Sequence, residues 1–587
     1  MLALKKKKNI SKIVEFSGRR KLVLVFMFLG MCVLILKAIQ LQVMETQFLQ
    51  KQGRSRQVST VKIAAYRGQI QDRNGKSLAA SAPVASIWVN PQYCREVEVE
   101  AESEDLKSIC SNLTDIRFKQ AAKLLGMPLR KLLKAFDAST NKQFVYLKRH
   151  IEPSVAAEIK ALGLPGVGFI REFKRFYPAG EVAAHLVGFT NIDDKGQEGL
   201  ELMYNSSLKG VAGSKRVIRD GKRRIIEGQN LEGIKEPVTG QDLQLSIDER
   251  LQYLAYKELK AGVVRHRAKS ASLVMLEAET GNVLAVVNQP SFNPNVRKNL
   301  KVSRYRNRAI TDIFEPGSTM KPLVVAAALE GGFIEPNQLF DTRDFKIKGR
   351  WVKDSHKYGT IDLTTVLKKS SNVAASKIAL SMPPDYFWRF YHDLGFGVSP
   401  RVNFPGEASG TLPEYSGWSD FEQATLSFGY RVSMSTLQLA RAYTALADDG
   451  VLHSVSLLKR EKDEYATQVL SPETARKVRV MIEQVVQKGG TATRAKVDGY
   501  RVAGKTGTVK KVSRQGGYGN DYLSVFVGMA PASDPKLVIA VMVDAPQGDY
   551  YGGLVAAPIF AKVMGGALRV LGITPDEEQT MSVLLAK

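Results

Sequence analysis

The sequence predicts a mixed α/β (α+β) protein: one N-terminal transmembrane helix, an elongated mixed domain, and a larger domain in which an antiparallel sheet packs with a helical subdomain. Three observations support this prediction. A basic tail precedes an apolar run, strand-like runs stand at both ends of the second half of the chain, and three short polar motifs lie within that half, at Ser318, Ser370 and Lys505. At 587 residues, the chain is also long enough to form several domains.

Residues 1–21 form a basic tail in which eight Lys or Arg residues stand against Glu15 alone. The run that follows, residues 22–36, is shorter than the roughly 20 residues that span a bilayer, so a cleaved signal peptide is the competing interpretation. No small-residue cleavage site follows, and Lys37 can extend its ammonium to the membrane surface while the apolar run resumes to residue 43. We therefore predict an uncleaved single-span anchor at residues 22–43, with the basic tail in the cytoplasm and the rest of the chain outside the inner membrane.

Residues 44–238 mix short strand-like and helical segments without a catalytic set of side chains, which predicts a non-catalytic pedestal with a spacer or docking role. Asn74 and Gly75 lie between arms of alternating polarity and predict a tight hairpin. Cys94 and Cys110 would lie in a compartment where disulfides can form, and the sequence leaves open whether they are bridged.

Of the formal net charge of +26, +7 lies in the N-terminal tail and the remaining +19 is spread over the predicted exported part. It either keeps a large domain soluble or attracts anionic lipid surfaces and cell-wall polymers. The basic residues accompany no helix-turn-helix, zinc finger or aromatic platform, so nucleic acid is not expected as a partner. The six histidines show no pairing at ligand spacing, which gives no support to a metal mechanism.

Residues 239–572 form the larger domain, and residues 573–587 a C-terminal tail. A helix is predicted over residues 249–264, with Ser246 and Asp248 as alternative N-caps. Strand-like runs at 272–276 and 283–287 precede the three polar motifs, the run 500–509 contains the third motif, and the runs 522–529 and 537–543 follow it. We therefore expect an antiparallel sheet assembled from both ends of the domain, with a helical section between them.

Ser318 begins the first polar motif and is the candidate nucleophile. Pro316 and Gly317 break the preceding structure, and residues 319–329 predict a helix that tolerates a proline in its first turn. Lys321 then lies one helical turn above Ser318, on the same face. A serine with a basic side chain at this spacing is the start of a site for acyl transfer through a serine ester.

Ser370 and Asn372 form the second motif and are candidates for a proton relay and an orienting amide. Without the other motifs, a helix cap would be the better interpretation of this pair. The separations of the three motifs, 52 and 135 residues, and their order favour the catalytic interpretation.

Lys505, Thr506, Gly507 and Thr508 form the third motif, in a segment that predicts a strand. A lysine and two hydroxyls can hold a carboxylate, and a glycine on a strand lets a substrate backbone approach closely. A bound peptide would then be held as an added strand. Thr508 could also be an ordinary strand residue.

Two further patterns near Lys505 are interpreted as structural. Gly499, Gly504, Lys505 and Thr506 satisfy the P-loop spacing, but no apolar strand precedes them and the segment that follows is strand-like. Residues 518–520, Tyr-Gly-Asn, are interpreted as a turn.

The ordered set of motifs S-x-x-K, S-x-N and K-T-G is the signature of penicillin-binding proteins and class A β-lactamases. The chain resembles the class B penicillin-binding proteins, and among them the division-specific peptidoglycan transpeptidases of Gram-negative bacteria. The resemblance covers nearly the whole chain and includes a pedestal motif at Arg67, Gly68, Asp72, Arg73, Asn74 and Gly75. It implies a penicilloyl-serine transferase (β-lactamase-like) domain and a dimerisation-type pedestal.

The resemblance also implies function and partners. The enzyme would be a D,D-transpeptidase that cross-links peptidoglycan stem peptides during septal cell-wall synthesis, and β-lactams would bind it covalently. It would work with the septal glycan polymerase and other divisome membrane proteins at the inner membrane, with its catalytic domain in the periplasm at the division septum. No cofactor is expected.

In this interpretation Ser318 attacks the penultimate D-Ala, and burial together with the charge of Lys505 lowers the pKa of Lys321 so that its amine can act as the base. Ser370 passes the proton to the leaving amine, and Asn372 orients Lys321 and the substrate amide.

Lys505, with the hydroxyls of Thr506 and Thr508, would hold the terminal carboxylate. The backbone N–H groups of Ser318 and Thr508 would form an oxyanion hole.

Three alternatives share parts of this pattern. A β-lactamase is disfavoured because no class A deacylation glutamate motif is found and a permanent anchor does not suit a secreted hydrolase. An elongation-specific transpeptidase would have the same catalysis with a different pedestal and partners. A non-catalytic penicillin-binding sensor would keep acylation without turnover of peptide.

Overall fold

The computed structural model describes residues 17–93, 115–137, 142–218, 235–297, 301–512 and 517–577. Most of the basic tail, Cys94 and Cys110, and the end of the C-terminal tail lie outside these residues. The described chain divides into two units: residues up to Ala65 together with those between Val211 and Val238 form one, and the remainder forms the other.

The first unit contains the apolar N-terminal helix. The helix Ser17–Ile39 continues as a π-helical turn, Gln40–Met44. The segment Gly18–Met44 has a mean hydropathy of 2.8, exposes its apolar side chains and is long enough to cross a membrane. The predicted span, residues 22–43, lies within it. The helix Thr46–Gln57 follows, and the strand Val58–Ile63 then pairs antiparallel with Gly213–Ile218.

The second unit begins with the remainder of the predicted pedestal. Its sheet centres on the long strand Ser77–Val89, which pairs antiparallel with Val145–Ile151 and Val167–Phe176. The predicted hairpin is confirmed: Ile70–Gln71 pairs antiparallel with the start of the long strand, and Gly75 occupies the turn with a φ of 82°. The helices of this part are Ile116–Leu124, Leu129–Ala135, Pro153–Ala161, Ala184–Val187, Gly199–Met203 and Asn205–Leu208.

A five-stranded antiparallel sheet organises the larger domain. In spatial order its strands are Val283–Gln289, Ser270–Glu277, Leu537–Asp544, Tyr518–Ala530 and Ala503–Val512. The prediction of a sheet built from both ends of the domain is therefore confirmed. The edge strand Val283–Gln289 is buried throughout, and the neighbouring strands Ser270–Glu277 and Leu537–Asp544 are buried except at their last residue, so both faces of this part of the sheet are covered.

Long helices pack on this sheet. Glu249–Arg265 and Gly552–Val570 contact it and each other, and Thr436–Ala447 also packs on its strands. The N-cap of the first helix is Asp248, whose side chain accepts a hydrogen bond from the backbone N–H of Arg250. Ser246, the alternative, instead donates its hydroxyl to backbone carbonyls.

In the sequence, the helical subdomain lies between the strand Val283–Gln289, which ends the first half of the sheet, and the strand Ala503–Val512, which begins the second half. It carries the Ser318 turn and the second polar motif, together with short two-stranded ladders, among them Phe345–Ile347 with Arg350–Val352. Its longer helices are Lys321–Glu330, Leu363–Lys369, Asn372–Leu380, Pro384–Asp393, Asp420–Leu426 and Pro472–Glu483.

Candidate active site

Ser318 lies on a tight turn that is fixed from several sides. The turn is a 3₁₀ helix, Gly317–Met320, which leads into the α-helix Lys321–Glu330. Gly317 has a φ of 62°, and a Cβ on it would meet Val509 Cγ2 at 2.4 Å, so only glycine fits. The residues around Ser318 are buried whereas Ser318 itself is partly exposed. The fold therefore holds this hydroxyl at an accessible place on a rigid element.

Lys321 is fully buried, and its ammonium group faces oxygen atoms of the second motif. Its Nζ donates to Asn372 Oδ1 at 2.7 Å, to the carbonyl of Ser370 at 2.5 Å and to Ser370 Oγ at 3.1 Å. Burial and the neighbouring charge of Lys505 lower the pKa of Lys321 well below its ordinary value, although Asp354 acts in the opposite direction. The predicted direction of this pKa shift is confirmed.

Ser370 occupies a strained backbone position between two helices. It ends the helix Leu363–Lys369 with φ 63° and ψ 44°, in the left-handed region where glycine costs least. Its hydroxyl contacts both Lys321 Nζ and Lys505 Nζ, the second at 3.0 Å. A serine at a position that favours glycine indicates that the hydroxyl itself is needed here.

The cap of the next helix is Ser371, not Ser370 or Asn372. Ser371 Oγ accepts from the backbone N–H of Ala374 at 3.0 Å, and Asn372 is the first residue of the helix Asn372–Leu380. The cap interpretation of the motif thus applies to its middle residue. The first and third residues keep their polar side chains for the cluster around Lys321.

Asp354 supports this motif and was not predicted from the sequence. Its carboxylate accepts from Ser371 Oγ at 2.6 Å and from the backbone N–H groups of Asn372 and Val373. The carboxylate therefore fixes the start of the helix that carries Asn372. Nothing in the spacing of Asp354 relative to the three motifs indicated this contact.

Lys505 lies on the strand Ala503–Val512 at the edge of the central sheet. It is fully buried, and burial lowers its pKa to about 7. Thr506 and Thr508 follow it with hydroxyls that are already engaged. Thr506 Oγ1 lies 3.0 Å from Thr491 Oγ1, and Thr508 Oγ1 accepts from the backbone N–H of Gly552, the first residue of a long helix.

Gly507 has a different role from the predicted one. A Cβ at this position would meet the carbonyl oxygen of Pro316 at 2.7 Å and Thr319 Cγ2 at 3.2 Å. The missing side chain thus lets the strand approach the Ser318 turn, and it does not open space for a substrate. The close approach brings the first and third motifs together.

Two segments near this strand carry patterns that the sequence left to the structure. Residues 518–520 were predicted as a turn, but they begin the strand Tyr518–Ala530, and Tyr518 pairs with Val512. The turn prediction was wrong because the hairpin extends further than the apolar run. The P-loop pattern falls on a strand where a helix would be required, as expected.

The part of the chain that the structure describes contains no group of three or more His, Cys, Asp or Glu side chains able to hold a metal ion. The site offers the partly exposed hydroxyl of Ser318 as a nucleophile. It also holds two buried amines with lowered pKa values, Lys321 and Lys505, on either side of the Ser370 hydroxyl. Such a site defines a serine-type acyl transferase.

Comparisons with known proteins place this site in a family. The transpeptidase domain of penicillin-binding proteins matches residues 271–565, and the penicillin-binding protein dimerisation domain matches residues 62–245. The probable peptidoglycan D,D-transpeptidase PenA of Neisseria gonorrhoeae is 40% identical over 582 residues, covering 99% of this chain and 97% of the relative. The peptidoglycan D,D-transpeptidase FtsI of Escherichia coli K12 is 40% identical over 549 residues, covering 93% and 91%.

A solved structure of a penicillin-binding protein is also similar to this chain. The transpeptidase domain of Burkholderia pseudomallei penicillin-binding protein 3 is 42% identical and superposes with a TM-score of 0.53, covering 57% of this chain and 98% of that chain. The chain belongs to the peptidoglycan D,D-transpeptidase family of penicillin-binding proteins. It has a dimerisation-type domain before the catalytic domain, and its N-terminal apolar helix makes it a membrane-anchored protein.

Proposed function

We propose that this enzyme cross-links peptidoglycan stem peptides during septal cell-wall synthesis through an acyl-enzyme on Ser318. The single observation that carries the proposal is the hydroxyl of Ser370, which lies within hydrogen-bond distance of both Lys321 Nζ and Lys505 Nζ. The cluster brings together one residue from each of the three motifs: Lys321, Ser370 and Lys505. β-Lactams would acylate the same hydroxyl.

In the first half-reaction, Ser318 Oγ attacks the carbonyl carbon of the penultimate D-Ala while the neutral amine of Lys321 takes its proton. The backbone N–H groups of Ser318 and Thr508 stabilise the oxyanion. Ser370 relays the proton to the leaving nitrogen, the C–N bond breaks, and the terminal D-Ala leaves. Asn372, which accepts from Lys321 Nζ, orients that amine and the substrate amide.

The terminal carboxylate of the donor is held by Lys505, Thr506 and Thr508. Thr508 Oγ1 already accepts a hydrogen bond from Gly552, so its own O–H is available to donate to a carboxylate. The buried Lys505 has its pKa lowered to about 7, and a bound carboxylate favours its charged form. Substrate binding therefore strengthens the charge that attracts it.

In the second half-reaction an amine of a neighbouring stem peptide attacks the ester. The ester bond breaks, a new peptide bond forms, and Ser318 recovers its proton. One peptide bond is exchanged for another, so the reaction needs no cofactor.

The proposed arrangement in the cell follows the domain order. Residues 1–21 would lie in the cytoplasm, residues 22–43 would cross the inner membrane, and residues 239–572 would act in the periplasm at the division septum. The span and the pedestal, residues 44–238, would contact the septal glycan polymerase and other divisome membrane proteins. The likeness to FtsI supports the septal role.

The test is incubation of the full-length protein with a donor stem peptide and an amine acceptor. We expect release of D-Ala together with a transfer product, and loss of both in a Ser318→Ala variant. Labelling by penicillin without a transfer product would instead favour a non-catalytic sensor. Depletion in cells distinguishes the septal enzyme, which predicts filaments, from an elongation-specific enzyme, which predicts spheres.

A further inference from the structure

The backbone carbonyl of Thr319, the residue after the proposed nucleophile, is held by a side chain from a distant helix. Tyr443 lies on the helix Thr436–Ala447 and is fully buried. Its hydroxyl donates to the carbonyl of Thr319 at 2.6 Å. Burial raises the pKa of Tyr443 well above its ordinary value, so the phenol keeps its proton and acts as the donor. None of the three motifs contains this tyrosine.

The local sequence explains why this carbonyl takes its partner from elsewhere in the chain. The turn around Ser318 is a 3₁₀ helix, in which carbonyls accept from the N–H three residues later. For Thr319 that residue is Pro322, which has no N–H. The α-helix that follows begins at Lys321, so its first bond is accepted by the carbonyl one residue after Thr319. The carbonyl of Thr319 thus lies between the two bonding patterns, and the hydroxyl of Tyr443 supplies its donor.

The helix that carries Tyr443 is firmly supported. It packs on strands of the central sheet, and Ser435 and Gln438 form a capping box at its start. The segment before it is tied to the residues ahead of the nucleophile, because Phe314 and Met434 exchange two backbone hydrogen bonds of 3.0 Å. Tyr443 therefore extends from a rigid element that lies behind the turn.

We propose that Tyr443 is a positioning residue for acylation, whose hydroxyl keeps the turn that carries Ser318 in its 3₁₀ form. Without that hydroxyl the carbonyl of Thr319 would be buried and unpaired, which is unfavourable. Its alternative donor is the N–H of Leu323, four residues later, which the α-helix leaves without an α-type partner. A bond between them would rewind the turn toward an α-helix and rotate Ser318 relative to Lys321 by about 20° per rewound residue.

This inference rests on the proposed function, because it concerns acylation of the same serine. Tyr443 is fully buried, so it acts through the turn and does not itself contact the substrate. Its role is to keep the nucleophile aligned with its base, and a small misalignment at a reaction centre lowers the rate of the chemical step more than the affinity for the substrate.

The test is Tyr443→Phe in the full-length protein, with acylation by benzylpenicillin followed over a range of concentrations. These data separate the dissociation constant of the non-covalent complex from the first-order acylation rate constant. We expect the rate constant to fall about tenfold and the dissociation constant to change less than about twofold. A merely structural role predicts a smaller folded fraction with an unchanged rate constant, and that result would overturn the proposal.

The matched control is Tyr500→Phe. Tyr500 is buried, and its hydroxyl donates to the carbonyl of Ile573, also at 2.6 Å, outside the Ser318 turn. The same group is therefore removed from the same kind of bond. We expect a comparable decrease in thermal stability and an acylation rate constant within about twofold of the natural protein. Equal slowing of acylation in the two variants would contradict a specific role of Tyr443.

A second substitution tests the route through the carbonyl of Thr319. Pro322→Ala supplies an N–H three residues later, where it can donate to this carbonyl in 3₁₀ geometry. In the Pro322→Ala background, Tyr443→Phe should therefore slow acylation by less than about threefold. A full loss of about tenfold in both backgrounds would contradict the assignment of the carbonyl as the group that Tyr443 holds.

The natural protein distinguishes a failure of this inference from a failure of the proposed function. Acylation of Ser318 in the natural protein, with an equal rate constant in Tyr443→Phe, would refute the positioning role alone. Absence of acylation in the natural protein would refute the proposed function, and the positioning role with it.

Discussion

Two buried clusters of charged side chains differ in one respect, the balance of their charges. In the pedestal, Glu201 accepts from Arg67 Nε and from Arg175 Nε, each at 2.6 Å, and all three side chains are almost completely buried. In the catalytic domain, Lys321 and Lys505 are equally buried, yet both face the single hydroxyl of Ser370.

The difference separates a structural cluster from a reactive one. In the pedestal, the carboxylate of Glu201 compensates part of the free-energy cost of burying two guanidinium groups. Because Arg67, Arg175 and Glu201 belong to different segments of the chain, their ion pairs hold these segments together. Among the described residues, Lys321 and Lys505 form no ion pair with a carboxylate, and burial lowers the pKa of both amines. The fold thus gives up stability at Lys321 and lowers the pKa of this amine, which favours the neutral form that a base requires.

The largest effect is expected when the reactive cluster loses its base. Lys321→Met should slow acylation of Ser318 by about 10²- to 10⁴-fold, the usual contribution of a general base. Its thermal stability should stay the same or increase, because a desolvated amine is replaced by an apolar side chain of similar length. Rates of labelling by a fluorescent penicillin and thermal unfolding measure the two properties. An exposed control, Lys357→Met, should change neither, and a loss of acylation below tenfold in Lys321→Met would contradict its assigned role.

The structural cluster should respond in the opposite way. Glu201→Gln leaves two buried guanidinium groups without a counter-charge and should cost about 3–5 kcal/mol of unfolding free energy. Acylation by the folded protein should change less than twofold. Denaturant unfolding measures the cost, and the exposed Glu158→Gln serves as the control. A cost below about 1 kcal/mol would show that the arginines do not depend on Glu201.

The pH dependence should report the lowered pKa of Lys505. As pH rises through about 7, Lys505 loses its charge and no longer attracts the terminal carboxylate of a donor. For such a donor, kcat/KM should therefore fall above this pH. A donor with a C-terminal amide should lack the falling limb. Identical pH profiles for the two donors would contradict the carboxylate-binding role.

The smallest effect concerns the strained backbone at Ser370. Ser370→Gly and Ser370→Ala both remove the relay hydroxyl and should slow acylation to a similar extent. They should differ in stability, since glycine fits the left-handed conformation and alanine does not, by about 1 kcal/mol in favour of glycine. Equal stabilities would mean that the backbone relaxes and that the strain is not imposed by the surrounding helices.

The parts of the fold and site that could be predicted from the sequence are those determined by residues close together in the chain. The hairpins, the sheet strands and the Ser318 helix follow from local periodicity and turn residues, and the structure has them close to where they were predicted. The first residues of the strand Tyr518–Ala530, 518–521, were missed because they are polar and resemble a turn.

The supporting contacts could not be predicted, because each joins residues far apart in the chain. Asp354 reaches the helix start at Asn372 past the strand Thr360–Asp362 and the helix Leu363–Lys369, and Thr491 reaches Thr506 from a separate loop. The role of Gly507 depends on the turn at Pro316, which the strand pattern does not disclose. Similarly, no local signal indicated that the pedestal residues Arg67, Arg175 and Glu201 meet.

The most direct test of the central claim is mass spectrometry of the full-length protein after exposure to a β-lactam. We predict one adduct, located on Ser318, and none in a Ser318→Ala variant that remains folded. An adduct on another residue, or an undiminished adduct in Ser318→Ala, would contradict the conclusion that the three motifs converge to make this hydroxyl acylable.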